Sequence, residues 1–190
     1  MADIKVLVLL GSLRAASINR QLAELAAESA PDGVAVTIYE GLGELPFYNE
    51  DLETDAAPAA VAALRAAAAA ADAALVVTPE YNGSIPGVLK NAIDWLSRTT
   101  PQPFAAKPVA VFGASGGVLG TARAQYQLRQ ILVFLDGRPV NKPEVMIGQA
   151  QTRFADGKLT DEATGKLLAD LGAALTLAIR HAKAAATHVK

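Results

Sequence analysis

The chain has 190 residues, 52% of them hydrophobic and 19% charged, with a formal net charge of −2 and no cysteine. That length supplies one sizeable core and is short for two; the charge offers no general attraction to nucleic acid or an anionic membrane, and the lack of cysteine excludes disulfides, thiolate catalysis and Cys-ligated metals. No apolar run approaches the roughly 20 residues that span a bilayer, and Asp3 and Lys5 stand where a signal peptide would carry its basic segment, so the expectation is a single cytoplasmic domain over 1–190.

Strand-like and helix-like segments alternate along the chain. Ile4–Leu10 is continuously apolar apart from Lys5, which predicts a strand covered on both faces. Residues 17–29 place Ile18, Leu22, Leu25 and Ala26 at helical spacing, with Ser17 as a natural N-cap. Val34, Val36 and Ile38 alternate with smaller or polar residues and predict a half-buried strand. Residues 58–71 are almost all alanine, the strongest helix former, and read as helix rather than as low-complexity disorder. An apolar strand over 73–78 and a helix over 85–97 follow, the latter with Leu89, Ala92, Ile93 and Leu96 on one face. Next come a strand over 109–113 and a helix over 120–136, closed by Gly137. The last strand falls at 140–147, and the last helix at 160–184 has acids in its first turn and basic residues near its end.

Five βα units in regular alternation predict an α/β, three-layer sandwich: a five-stranded parallel sheet with helices on both faces. Strands 1, 3 and 4 are the continuously apolar ones and belong in the centre. Strand 2 alternates and strand 5 carries Pro143, so both belong at edges. The flavodoxin-like order 2-1-3-4-5 satisfies this with right-handed crossovers. In such a sheet a ligand sits outside the carboxyl ends of the strands, where the loops after strands 1, 3 and 4 converge.

Those three loops are the most unusual in the sequence. The first, 11-GSLRAASIN-19, precedes a helix whose free N–H groups and dipole favour an anion. Residues 11–23 carry four side chains of the Ser, Asn or Gln type, two arginines and no carboxylate. Neither GxGxxG nor the lysine of a Walker loop is present, so adenine dinucleotides and nucleoside triphosphates match poorly. In the second, 79-PEYNGSIPGVLKN-91, Pro79 ends the strand and Asn82-Gly83 supplies a turn. Ser84 or Ile85 caps the next helix, with Pro86 in its first turn. Turn chemistry leaves Glu80 and Tyr81 unexplained; an aromatic ring at the mouth of a parallel sheet suits a flat ligand, whose polar edge Asn82 would read. The third, 113-GASGGVLG-120, has four glycines in eight residues, which admit backbone close to a ligand or simply make a flexible turn.

GSLRAASINR, PEYNGSIPGVLKNAIDWLSR and the later GTARAQYQLRQILVFLDGRPVNKPE resemble the NADPH-dependent FMN reductase family of the flavodoxin-like superfamily, and within it the quinone and chromate reductase branch. The resemblance runs from about Val6 to Ile147. It departs in the third loop, where a Ser-rich stretch is usual and Ser115 is here the one hydroxyl. The resemblance implies an FMN 5′-phosphate held by Ser12, Arg14, Ser17 and Asn19. It implies an isoalloxazine ring bordered by Pro79, Glu80, Tyr81 and Asn82, with Ser115 near the far side. It further implies NADPH or NADH as co-substrate and ping-pong hydride transfer to small-molecule acceptors: quinones, azo compounds, chromate and free flavin. Homodimers or homotetramers are implied as well. The segment 42-LGELPFYNEDLETD-55 leaves Leu45, Phe47 and Tyr48 exposed unless something covers them, and the helix over 123–135 and the edge strand near Glu144 are the other expected contacts.

No protein residue need act as nucleophile, because the cofactor carries the chemistry. His181 and His188, the only histidines, fall on the tail helix or past its end without metal-ligand spacing, and no metal site is expected. The alternatives are a non-catalytic electron carrier of the flavodoxin type and an FMN-binding redox-sensing module. Such carriers are usually markedly acidic, whereas this chain is only −2.

Overall fold

The computed structural model of the chain describes residues 4–54, 57–155 and 157–187, so the expectation for His188 lies outside the described residues. A parallel sheet runs in the order β2 (Val34–Ile38), β1 (Ile4–Leu10), β3 (Ala73–Val77), β4 (Pro108–Ala114), with the fifth position shared by β5 (Arg138–Pro139) and β6 (Val145–Ile147). Register is set by the apolar strands themselves: Leu7 pairs with Ala74 and Leu9 with Val76, while Val76 pairs with Val111. The expected 2-1-3-4-5 order is therefore the order of the molecule.

Side chains of β1 alternate between two cores, as the strand period of two requires. Leu7 and Leu9 join one core with Leu64 of α2 (Ala59–Ala70), Leu89, Trp95 and Leu96 of α3 (Gly87–Ser97), and Leu128 and Leu132 of α4 (Ala122–Phe134). Val6, Val8 and Leu10 join the other with Leu22 of α1 (Ile18–Glu28) and Leu171, Leu175 and Ile179 of α5 (Glu162–Thr187). Each fully buried leucine or isoleucine contributes about 1.5–3 kcal/mol relative to exposure, which is why a sheet apolar on both faces sits in the middle layer. The alanine-rich segment is helical, with Val61, Leu64 and Ala68 buried on one side. Among the described residues no helix is long and apolar enough to cross a membrane.

Two expectations need correction. The last strand is not one run over 140–147. β5 pairs Pro139 with Val109 and β6 pairs Val145 with Phe112, so six residues of the edge span three of β4 and the intervening chain loops out. Arg138 and Val140 donate their N–H groups to the carbonyls of Lys107 and Val109, at 2.9 Å each. Pro139 between them, which has no N–H, faces away from β4, and Pro143 lies in the looped-out segment. After β6, a short antiparallel pair, β7 (Phe154–Ala155) and β8 (Lys158–Leu159), precedes α5 and has no counterpart in the sequence reading.

Of the three hydrophobic residues expected to need cover, the chain itself covers two. Leu45 is buried, and Tyr48 meets Trp95 edge-on with ring centroids 5.0 Å apart. The Pro46 carbonyl accepts from the Trp95 indole N–H (2.8 Å) and the Asn91 amide (3.0 Å). Phe47 remains 87% exposed.

Candidate functional site

The loops after β1, β3 and β4 interlock. Gly11 donates its N–H to the Val77 carbonyl (2.8 Å), and Thr78 donates to Phe112 (3.0 Å). A Cβ on Gly113 would lie 1.8 Å from the Thr78 carbonyl oxygen, so only glycine permits the second and third loops to touch there.

In the first loop, Ser12 and Ser17 are buried and Arg14 is exposed. Ser17 is the N-cap residue of α1 by position, yet its hydroxyl makes no capping bond. The first turn of α1 holds no acidic residue. The N–H groups of Ala15, Ala16, Ile18 and Asn19 find no acceptor among the described residues. The Arg14 guanidinium donates to the Ala16 carbonyl (2.8 Å), which draws it over the loop, and it has no carboxylate partner among the described residues. Arg20, the other cation, is held by Glu40 through two bonds of 2.9 and 2.6 Å. The Arg20 hydrogen bond holds the Glu40 carboxyl below the usual carboxylate range. The donors left over are thus two hydroxyls, a guanidinium and a helix N-terminus, a set that fits a phosphate.

Asn19 ties the first loop to the sheet. Its amide donates to the Ala114 carbonyl and accepts from the Ala114 N–H, both at 2.9 Å, pinning α1 to the end of β4. The residue is buried, and these two bonds hold the loop in position.

In the second loop, Tyr81 and Ser84 exchange backbone hydrogen bonds of 3.0 Å, and Asn82 (φ 52) and Gly83 (φ 72) both take positive φ. That is a type I′ turn, for which Asn-Gly is the favoured pair. Tyr81 is 49% exposed and Asn82 stands exposed at the tip, while Pro79 is buried. The helix begins at Gly87, with Pro86 at the N-cap position, rather than at Ile85. The Ser84 hydroxyl does not cap it and instead meets Gln127 of α4 (2.6 Å). Glu80 is used by the fold as well: its carboxylate accepts from the Arg123 N–H (2.9 Å), the Ala124 N–H (3.1 Å) and the Arg123 guanidinium.

The third loop is tied at both ends rather than loose. Ser115 donates its N–H to Ile147 (3.0 Å), accepts from Ala150 (3.1 Å), and turns its hydroxyl onto the Gly120 carbonyl. Gly117 accepts from both Gly120 and Gln149. Val118 and Leu119 are left exposed on this braced loop. Sequence reasoning missed Arg123, Thr121 and Gln125, which link these loops: buried Gln125 donates to the Thr121 hydroxyl (2.8 Å) and the Val145 carbonyl (2.9 Å). No local signal marks them, since Thr121 is itself a favoured N-cap residue and only the structure shows that its side chain makes no capping bond.

Known proteins resemble the chain closely. Residues 4–152 match the family model described as NADPH-dependent FMN reductase. A relative from Pseudomonas aeruginosa, named NAD(P)H-dependent FMN reductase, is 50% identical over 94% of this chain and 96% of its own. A quinone reductase of Escherichia coli K12 is 46% identical over 85% of this chain and 87% of its own. Among solved structures, the flavoenzyme NAD(P)H:(acceptor) oxidoreductase FerB of Paracoccus denitrificans superposes with a TM-score of 0.83 at 39% identity, covering 94% of this chain and 98% of the other.

Proposed function

The chain belongs to the NADPH-dependent FMN reductase family, and on that premise we propose that it is an NAD(P)H-dependent, FMN-containing oxidoreductase that reduces quinones and related small acceptors. The observation that carries this reading is the carboxylate-free first loop with unpartnered N–H groups, set beside a half-exposed tyrosine on a rigid turn. FMN, when bound, would supply the redox chemistry between nicotinamide and acceptor. The polypeptide binds and orients. Ser12, Arg14, Ser17 and the free N–H groups at the start of α1 hold the phosphate, and Asn19 keeps that loop against β4. Pro79, Tyr81 and Asn82 border the ring from the second loop, with Glu80 behind them and Ser115 bracing the third loop on the far side.

Tyr81, Val118 and Leu119 stand exposed around the three loops, and nicotinamide and acceptor use this one face in turn. That is a ping-pong scheme in which positioning the reactants at near-contact supplies much of the rate. An open face also accounts for a broad acceptor range, with azo compounds, chromate and free flavin beside quinones. The cysteine-free chain suits the cytoplasm.

Steady-state oxidation of NADPH and NADH, with and without benzoquinone, tests the reading on the FMN-reconstituted protein. We expect turnover that depends on both FMN and quinone. A protein that binds FMN but shows no quinone-stimulated turnover would instead be an electron carrier or a sensing module.

A further inference from the structure

Glu80 belongs to the flavin-side loop in sequence, but its carboxylate serves α4. The side chain is 4% exposed while that of Arg123 is 59% exposed, so the pair is asymmetric: the acid is buried beneath the loop and the base lies at the surface. Two of the three groups that bind it are the backbone N–H groups of Arg123 and Ala124. These are among the orphan donors of a helix N-terminus, which Thr121, at the N-cap position, leaves without a side-chain bond. A carboxylate there also meets the positive end of the helix dipole. Four residues further on, the turn is fastened to the same helix again, by Ser84 to Gln127 and by Gln127 to the Gly83 carbonyl (3.3 Å). The Tyr81 hydroxyl has no hydrogen-bond partner among the described residues, so the turn that carries the ring decides where it stands.

We infer that Glu80 is a positioning residue: by capping α4 from outside that helix it locks the 81–84 turn, and through it sets the Tyr81 ring against the face where nicotinamide and quinone alternate. The inference rests on the FMN reading above. α4 also begins where the third loop ends, at Gly120 and Thr121, so one helix terminus registers both ring-side loops against each other.

Three variants of the FMN-loaded protein test this: Glu80→Ala, Glu80→Gln and Arg123→Ala. Their readouts are the visible circular dichroism of bound FMN, kcat and KM for benzoquinone, and amide hydrogen exchange at Tyr81 and Ser84. Arg123→Ala removes the guanidinium but leaves both backbone N–H bonds, so its flavin dichroism and KM should stay near wild type. Glu80→Ala should raise KM by about tenfold, the equivalent of about one lost charge-assisted bond. It should also alter the dichroism and speed exchange at Tyr81 and Ser84. Its affinity for FMN should change less, because the phosphate loop is untouched. Glu80→Gln, which keeps one acceptor oxygen, should fall between, and it carries the same test if Glu80→Ala does not fold. A Glu80 variant that melts earlier yet keeps wild-type dichroism, KM and exchange would reduce Glu80 to a helix cap and overturn the inference. So would an Arg123→Ala variant as impaired as Glu80→Ala, since the ion pair would then be the active element. If the wild-type protein bound no FMN, the functional reading would fail, while exchange in the apoprotein would still decide whether Glu80 locks the turn.

Discussion

Arg14 carries a full charge over a loop whose other donors are neutral, whereas Tyr81 offers only a ring and a free hydroxyl; replacing each should leave a different mark. Arg14→Ala should weaken FMN binding tenfold to a hundredfold, since a charge-assisted contact to phosphate contributes roughly 1.5–3 kcal/mol. Quinone affinity of the loaded enzyme should hardly change. Tyr81→Ala should retain much of its FMN and lose quinone reduction through a raised KM or slower hydride transfer, with stacking of about 0.5–1.5 kcal/mol at stake. Titration of apoprotein with FMN and kinetics of the loaded variants separate the two patterns; an unchanged Arg14→Ala titration would make that residue an ordinary surface cation. At this scale the sequence was legible only where chemistry is local. The Asn-Gly turn and the carboxylate-free first loop could be read from neighbouring residues. The partners of Asn19 and Glu80 lie 95 and 43 positions away, and no local pattern points to them.

Helices and central strands were legible because their signals are periodic and repeat over a whole element. The broken edge strand was not, because Pro139 and Pro143 fit an edge either way and only the pairing with β4 decides which residues loop out. The start of α5 shows how a short cap adds a pH dependence to an element. Asp161 accepts from the Thr164 N–H (2.9 Å), the Thr164 hydroxyl and Arg153 (2.8 Å). The Thr164 hydroxyl first, then its N–H, hold the Asp161 carboxyl below the usual aspartate range. A depressed folded-state value means that the stabilisation is complete above the ordinary aspartate range and disappears as pH falls through the folded-state value. Asp161→Asn should therefore melt below wild type at neutral pH, and the two melting curves should converge on acidification. Thermal melts across that range check this, and a gap that is constant with pH would remove the carboxylate from the account.

For the whole molecule, the order of the sheet followed from which strands are apolar throughout, a property that needs no knowledge of partners. Assembly is less direct. Tyr126, Val133 and Phe134 of α4 are exposed, Phe134 at 89%, and Phe47 stands bare on another segment. Apolar exposure of this kind marks an interaction surface, and we propose a homodimer or homotetramer that buries it. Sedimentation at micromolar concentration should give a dimer or larger, and a monomer would contradict it. On the proposed function, one face of the molecule serves both a nicotinamide and a quinone through bound FMN. Anaerobic stopped-flow tests it most directly, by mixing the FMN-loaded protein first with NADPH and then with benzoquinone. The flavin absorbance should bleach on the first mix and return on the second, each half-reaction proceeding without the other substrate. A flavin that stays oxidised with NADPH alone, or that bleaches and is not restored by benzoquinone, would contradict it.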